Sequence, residues 1–494
     1  MEVNAKRVEA RAGKADMGRG CFVAGLLLVC GGAWAQKADL PPAPSAVARP
    51  LQLATGVFVE PERPGAVPLT LDEAIQIALK NNTEVKIRTA QESFIQGQIK
   101  TTEQALLPNL KATAYTRAQE IDLVALGFKP NSVKIPGFTG SIPEIVKVKT
   151  TDAQVSLSQT LFNVPTFFLY KATERAREAT NWATLSARGG VVLQVGALYL
   201  RALADEATVR NDEALVKQDE LVFEHAKASK EAGVGINLDV LRAQVALQNE
   251  QQALEQARNA AAKDKIQLNR EMGQPAGQEL QLVDAIPYSD YNADSSDQAI
   301  RDALAVAYER RKDLRELESQ MDVAHETNRA LKYERLPTVG ISGFYGVLGE
   351  TTGLYHGVFT AEGQISIPVF QEATFRGQKE VAVAQEIGLR QQIDGNKAQI
   401  EADIRSSLLD VQSAAEVVKV ARSNVELAQT ALDDATQRFT AGVDDNLPVT
   451  QAQATLVGAE AQVIQAEFNY NYAKLQLARN TGVVETQYRT YLGR

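Results

Sequence analysis

The chain has 494 residues, with 52 basic against 61 acidic side chains and a formal net charge of −9. That balance gives no support to a nucleic-acid role. Aromatics make up 6% beside abundant Ala, Gln, Glu, Val and Leu, the palette of long helices rather than of the three ~150-residue globules that length alone would suggest.

Lys6, Arg7, Arg11, Lys14 and Arg19 precede an apolar run of 12 residues, Cys21 to Gly32, followed by Ala33-Trp34-Ala35. A charged leader, a short hydrophobic stretch and an A-x-A site predict a secretory signal peptide over residues 1–35. The run is too short for a spanning helix, which needs ~20 residues. Cleavage would remove five basic and three acidic residues, taking the charge from −9 to −11. It would also remove Cys21 and Cys30, both of the chain's cysteines, and with them disulfides, Cys-ligated zinc and thiol chemistry. Leu27-Leu28-Val29-Cys30 resembles a bacterial lipoprotein box, which would lipidate Cys30 instead, although Val29 is bulky where such boxes prefer a small residue. Residues 36–68 hold seven of the 17 prolines and no apolar periodicity, so they are expected to form a Pro-rich arm.

Beyond the arm the chain repeats itself. LDEAIQIALKNNTEVKI, from Leu71, aligns 229 positions on with Ile300, and the same offset carries Leu107-Pro108 onto Leu336-Pro337. KEAGVGINLDVLRAQVAL, from Lys230, aligns 209 positions on with FTAGVDDNLPVTQAQATL, from Phe439, matching Gly233 to Gly442, Val240 to Val449 and Gln244 to Gln453. Further on, Leu268 falls on Leu477 and Gly273 on Gly482. The reading is repeat 1 over 69–273, an inter-repeat segment over 274–297, repeat 2 over 298–484 and a tail over 485–494, with ~20 residues lost between the offsets in the second copy.

That loss falls among expected strands. Phe359, Ala361, Gly363, Ile365, Ile367 and Val369 alternate with polar neighbours. Ala153, Val155, Leu157 and Leu161 do the same within Thr151 to Phe162. With Leu110 to Leu123 and Val339 to Leu348 as upstream partners, each copy holds two strands with unlike faces, joined by a long loop (124–146) in the first and a short one (349–356) in the second. Prolines are absent between Pro165 and Pro275, between Pro368 and Pro448, and after Pro448. In the last tract Val449, Ala452, Leu456, Ala459, Val463, Ala466, Tyr470, Ala473 and Leu477 step by three and four, and Ile400 to Phe439 follows a similar rule, so coiled-coil packing is expected. One unbroken helix from Thr166 to Ala232 would be ~100 Å long. The glycine motifs then fall at two hairpin tips. Gly189-Gly190, inside a helical tract, fits either a kink or a close helix contact.

Four amphipathic strands in an exported chain suit a barrel only if copies pool them, eight strands from a dimer or twelve from a trimer; a soluble sandwich also fits the alternation. The ordered set LTLDEAIQIALKNN, LLPNL, a strand pair ending in LFN, a long helix and AGV…LDVLRAQ, followed by LPTVGISG, IPVFQ and RFTAGVDDNLPVTQAQ, resembles the TolC-like outer-membrane efflux proteins over about Leu69 to Val484. The resemblance implies an α+β membrane protein: a homotrimer whose four strands per chain build one transmembrane β-barrel, joined to a coiled-coil-like α-helical barrel, with an internal two-fold sequence repeat. It implies a passive duct in the outer membrane, no enzyme and no cofactor. Its implied partners are a periplasmic adaptor protein, an inner-membrane pump and outer-membrane lipid. An equatorial belt would come from the inter-repeat segment and the chain ends.

The family's closed aperture matches Asp239, Asp444, Asp445, Leu447 and Gln451 here. Threefold rings of the acids would favour cations, and Leu447 could form a dry constriction; equally, Asp444 and Asp445 could cap the helix beginning near Leu447. Gly233, Gly235, Gly442 and Val443 match the tip turns that contact adaptors. Pro448 and Gln451 stand where some members carry an Asp-x-x-Asp pair, and Phe439 replaces a latching tyrosine, so neither feature carries over. The tip Gly-Val-Asp-Asp-Asn-Leu-Pro looks most like those serving resistance-nodulation-division pumps. Type I protein secretion and a non-pore secreted coiled coil are the alternatives. His225, His325 and His356 stand alone, without a second ligand at metal spacing.

Overall fold

Two helices of extraordinary length organise the protein, and each follows a pair of long strands. A computed structural model describes residues 65–127, 143–233, 235–291, 296–441, 443 and 447–493. All of these belong to the unit Phe58–Arg494, while the unit Met1–Val57, with the expected signal peptide and Cys30, lies outside the described residues.

In chain order, strand β1 (Val67–Leu69) leads into helices α1 (Leu71–Asn81) and α2 (Thr83–Gln104), then strands β2 (Asn109–Asp122) and β3 (Ile145–Phe162), then helices α3 (Val164–Glu231) and α4 (Asn237–Glu271). Strand β4 (Leu280–Leu282) follows, then α5 (Asp297–Arg310), α6 (Lys312–Lys332), β5 (Thr338–Glu350), β6 (Tyr355–Ser366), α7 (Glu372–Thr440), α8 (Leu447–Asn480) and α9 (Val484–Leu492). At 1.5 Å per residue, the 68 residues of α3 span ~100 Å. The α-helix starts carry their own signals. Thr70 and Glu73 form a reciprocal capping box on α1. Asn163 caps α3, where Pro165 in the first turn sacrifices no intrahelical bond.

The heptad seam read from the sequence is the buried face of α8. Leu456, Ala459, Ala466, Tyr470, Ala473 and Leu477 are all buried, as are Ile400, Ile404, Leu408, Val411, Val418, Ala421, Ala428 and Leu432 of α7. These residues form two apolar clusters along the α7/α8 pair. A third cluster surrounds the middle of α3, where Val192, Val195, Tyr199 and Leu203 pack on Leu71, Ile75, Leu268 and Met272. α3 continues unbroken through Gly189-Gly190, of which only Gly189 meets a neighbour: a Cβ there would touch Val484 at 3.5 Å, while one on Gly190 would meet nothing. One on Gly196, two turns on, would meet Leu475 at 3.0 Å.

The strands differ from expectation in three places. β3 starts at Ile145, earlier than Thr151, and β6 stops at Ser366 instead of running on to Phe370, because Pro368 has no N–H for a ladder. β1 and β4, unforeseen, pair in parallel from Val67 opposite Leu280 to Leu69 opposite Leu282, joining the end of the Pro-rich arm to the inter-repeat segment. The tail is helical as α9, and Tyr488 of that helix donates to Asp72 of α1 at 2.6 Å.

Candidate functional site: a two-faced sheet and the hairpin tips

The order β2-β3-β5-β6 makes one antiparallel four-stranded sheet, with β2 and β6 at its edges. Register sorts its side chains. Leu110, Ala112 and Ala114 lie opposite Leu157, Val155 and Ala153. The latter three lie opposite Gly343, Tyr345 and Val347, which in turn oppose Ala361, Phe359 and Gly357. Since alternate residues share a face, one surface of the sheet is apolar across all four strands. The other carries Lys111, Thr113, Arg117, Gln154, Ser156, Ser158, Ser342, Thr360 and Glu362. The apolar face is bare in the protomer: Phe359 is 77% exposed and Tyr345 70%. Along β5 the band from Val339 to Gly349 covers ten residue steps, ~33 Å of strand, which at a tilt of ~40° stands ~25 Å tall, the height of a lipid-facing band. Lys147 and Glu120 pair at 2.7 Å near the loop end of this face. Among the described residues no helix is long and apolar enough to cross a membrane.

At the opposite ends of α3 and α7 lie the tips. Gly233 has φ +74°, the left-handed conformation that ends a helix, and its N–H donates to the Lys230 carbonyl at 3.0 Å. Gly235 N–H reaches back to Ser229 at 2.9 Å. A Cβ on Gly235 would press on the Ser229 and Lys230 backbone at 3.0 Å, so this turn has no room for a side chain. Lys230 Nζ then ties the turn to Asn237 at 2.7 Å. In the second hairpin Val443 N–H donates to Arg438 at 3.0 Å and its side chain is exposed. Gly442, Asp444 and Asp445 lie outside the described residues, as does the side chain of Phe439.

The structure brings Asp239 and Leu447 together. Both line a cavity of about 280 Å³ between α3, α4 and α8, with Asp219, Val222, Arg242 and Gln453. Asp239, in the first turn of α4, faces Arg242 at 3.8 Å, which offsets its charge. Gln451 points elsewhere: it is exposed, and its carbonyl accepts the Thr455 hydroxyl at 2.9 Å. One polar contact between the two hairpins, beside the cavity, was not foreseen. Gln453 Nε2 of α8 donates to Asp219 Oδ1 of α3 at 2.8 Å. Burial raises the Asp219 carboxyl above its ordinary value, and the Gln453 bond opposes that rise by favouring the charged form. Gln453 had been visible only as a residue repeated from Gln244.

Midway along the helices, residues 283–291 are strapped to α8. Asn471 donates to Pro287 at 2.7 Å, Tyr470 donates to the Ser289 carbonyl at 3.1 Å and accepts from Tyr291 N–H at 2.8 Å, and buried Lys474 reaches Ser289. Tyr199 donates to Leu69 at 2.9 Å and to Asp284 at 2.8 Å, and Asp284 also accepts the Leu71 N–H at 2.8 Å. No group of three or more acidic, His or Cys side chains gathers at metal distance among the described residues.

A family model described as "Outer membrane efflux protein" matches residues 74–274 and again 303–483. The probable efflux pump outer membrane protein TtgC and the antibiotic efflux pump outer membrane protein ArpC, both of Pseudomonas putida, are each 22% identical over 427 residues, covering 83% of this chain and 82% of the relative. Among solved structures, the Campylobacter jejuni CmeC outer membrane channel superposes with a TM-score of 0.70 at 13% identity, over 84% of this chain and 86% of that one. The open state of the Neisseria gonorrhoeae MtrE outer membrane channel gives 0.68 at 16% identity, over 84% and 89%. With both of its long hairpins and both strand pairs inside the matched segments, the chain belongs to the outer membrane efflux protein family, as a channel of the outer membrane and not an enzyme.

Proposed function

We propose that the protein is the exit duct of a tripartite efflux system, passing substrates from an inner-membrane pump and its periplasmic adaptor through the outer membrane. The observation that carries this reading is the sheet: one face apolar over all four strands, the other polar, and two edges unpaired within the protomer. In lipid an open edge leaves backbone N–H and C=O groups without partners, so the edges β2 and β6 must meet those of other copies in a closed barrel. Three copies give twelve strands, the number the family resemblance implies. The polar faces then line the lumen, and the ~100 Å helices continue the wall across the periplasm.

Duplication of an ancestral half accounts for the boundaries 69–273 and 298–484, with 274–297 as the equatorial connection. A cleaved leader over 1–35 accounts for export. Gly233, Gly235, Gly442 and Val443 form the tips that meet the adaptor, and Asp239, Asp444, Asp445, Leu447 and Gln451 ring the aperture. The relative named for an antibiotic efflux pump favours efflux over protein secretion, and the sequence of the second hairpin tip favours a resistance-nodulation-division pump as partner. Mature protein reconstituted in a planar bilayer should give discrete, cation-preferring conductance steps, and its native mass should be that of a trimer. A monomeric protein that leaves the bilayer silent would overturn the reading.

A further inference from the structure

Helix α3 carries an acid at every seventh residue along a stripe that other helices cover. Asp205, Asp212 and Asp219 are each no more than 9% exposed. Seven residues are nearly two turns, so the three carboxyls share one face. A coiled-coil seam ordinarily fills such positions with apolar side chains.

The neighbouring helices add acid. From α4, Asp264 hydrogen-bonds Asp205 and Glu250 faces both Asp212 and Asp219. From α8 the facing groups are the Gln453 amide and the Phe468 ring. Arg201 is the cation aimed at the stripe, with Nε 3.3 Å from Asp205 and 3.6 Å from Asp264. The other nearby cations are engaged with acids outside the stripe: Lys265 and Arg210 with Glu206, Arg258 with Glu213 and Glu255, and Arg242, which shares the cavity of Asp219, with Asp239. Arg422 of α7 holds Glu467 of α8. Five carboxyls therefore face one guanidinium, a balance of −5 + 1 = −4 if all are ionised. Asp205 Oδ2 is also buried and accepts from no N–H donor among the described residues, so its bond with Asp264 requires a proton on one of the two carboxyls. A buried excess of one sign is relieved most cheaply by binding protons.

We propose that this stripe is a proton-binding element that sets how firmly α8 is held against the first hairpin. With protons bound, α3 packs on α4 and α8 as a neutral seam. Ionised, its carboxyls repel Asp264 and Glu250 and loosen that seam. Burial followed by the Asp264 hydrogen bond pushes Asp205 up to about 7, and burial raises Asp212, Asp219 and Glu250 as well. The sign follows: acids whose folded values lie above the ordinary 3.8 stabilise fully below that value. They lose the contribution as pH rises through the folded value, a window of about pH 4 to about pH 7 for Asp205. That the seam bears on an aperture at the start of α8 rests on the duct reading, but the seam itself does not.

The test is hydrogen exchange on the assembled full-length protein in detergent at about pH 5.5 and about pH 8, corrected for the intrinsic pH dependence of exchange. Protection over 205–219 and 447–456 should fall about tenfold at the higher pH. In the triple variant Asp205→Asn, Asp212→Asn, Asp219→Asn, which mimics the protonated state, protection should be equal at both. A wild-type seam indifferent to pH, or a triple variant that repeats the wild-type response, overturns the proposal. If the triple variant fails to assemble, infrared difference spectra of wild type and Asp205→Asn decide. A protonated-carboxyl band that disappears on alkalinisation and is weakened in the variant supports the proposal, and its absence refutes it. Conductance separates the two readings: channels with a pH-indifferent seam sink this inference alone, and a pH-responsive seam in a silent protein sinks the duct alone.

Discussion

Lys474 offers the sharpest check on how the equatorial strap is fastened. It is 0% exposed in α8, with Nζ 3.3 Å from the Ser289 carbonyl, 3.4 Å from Ser289 Oγ and 4.3 Å from the centre of the Tyr470 ring. Burial lowers its pKa from 10.5 to about 8, against a weak pull upward from Asp290. A depression of 10.5 − 8 = 2.5 units corresponds to about 3 kcal/mol of cost for holding the ammonium there near neutral pH. That cost is net of the contacts to Ser289 and to the Tyr470 ring, because any contact that favours the ammonium is already contained in the folded value. Replacing Lys474 with Met, of similar length and without charge, should therefore raise stability at pH 7 by up to about 3 kcal/mol. Ser289 would not be orphaned, because Tyr470 also donates to its carbonyl. The pH dependence is the sharper signature. A lysine whose folded value is depressed holds fewer protons when folded than when unfolded between about pH 8 and about pH 10.5, so wild type should gain stability across that window. Thermal unfolding of the two proteins side by side cancels all other titrations. The wild type should gain about 3 kcal/mol on Lys474→Met between about pH 7.5 and about pH 10.5. A gap independent of pH would refute the reasoning.

Three further outcomes follow from the geometry. Gly482→Ala should cost at least about 2 kcal/mol, measured by thermal unfolding, because φ is +78° and a Cβ would meet the Arg310 and Arg311 backbone at 2.7–2.8 Å; Gly458→Ala, in open space on α8, should not destabilise. Phe359→Lys should weaken membrane insertion by about 2–4 kcal/mol, while Thr360→Lys, its neighbour on the polar face, should insert normally and shift ion selectivity; equal insertion defects would mean the faces are misassigned. Gln453→Ala should release the start of α8, raising hydrogen exchange over 447–456 by up to about tenfold, since a side-chain hydrogen bond contributes about 0.5–1.5 kcal/mol. It should also lift the Asp219 pKa further, because the lost bond favours the ionised form.

Much of this fold was legible because its signals are periodic and long. A step of three and four over Val449 to Leu477 has few structural meanings, and the register of β5 on β6 follows from alternation once the turn is placed. What escaped was short or depended on partners distant in sequence. β1 and β4 are three residues each, too brief to show a period, and they exist because each supplies the other's edge. The Asp219–Gln453 contact spans 234 positions and could not be inferred from either residue. The stripe Asp205, Asp212, Asp219 did leave a trace, an acid recurring every seven residues inside a helical tract. Charges at that spacing usually mark a solvated face, and only packing showed otherwise. Of the residues matched to the aperture, Asp239 and Leu447 share a cavity while Gln451 is exposed.

The two joints between short and long helices show which features of the repeated design are geometric and which are chemical. α1 yields to α2 at Asn82, and α5 to α6 at Arg311, with a single residue between the helices in each case. Against each joint lies the glycine that ends a long hairpin. A Cβ on Gly273 would strike Asn81 at 2.6 Å, and one on Gly482 would strike Arg310 at 2.7 Å. Both glycines have positive φ, so backbone must pass against backbone at both places and no side chain is admissible. The fastening differs. Asn82 uses a neutral amide, donating to the Glu271 carbonyl and accepting the Glu84 N–H, both at 2.8 Å. Arg311 is buried and donates to Asp313 at 2.7 and 3.0 Å and to Asp403 at 3.0 Å. Burial alone would raise the Asp313 carboxyl, yet Arg311 and Asn396 hold it below the ordinary value. Losing an amide cap costs about 1 kcal/mol, whereas removing one partner of a buried ion pair costs about 3–5 kcal/mol, because the remaining charges are left uncompensated. The glycines answer to the shape of the joint and so match in both copies, while its fastening tolerates different chemistry. The copy that carries α7 and α8 depends on a charge network and the other on a single amide.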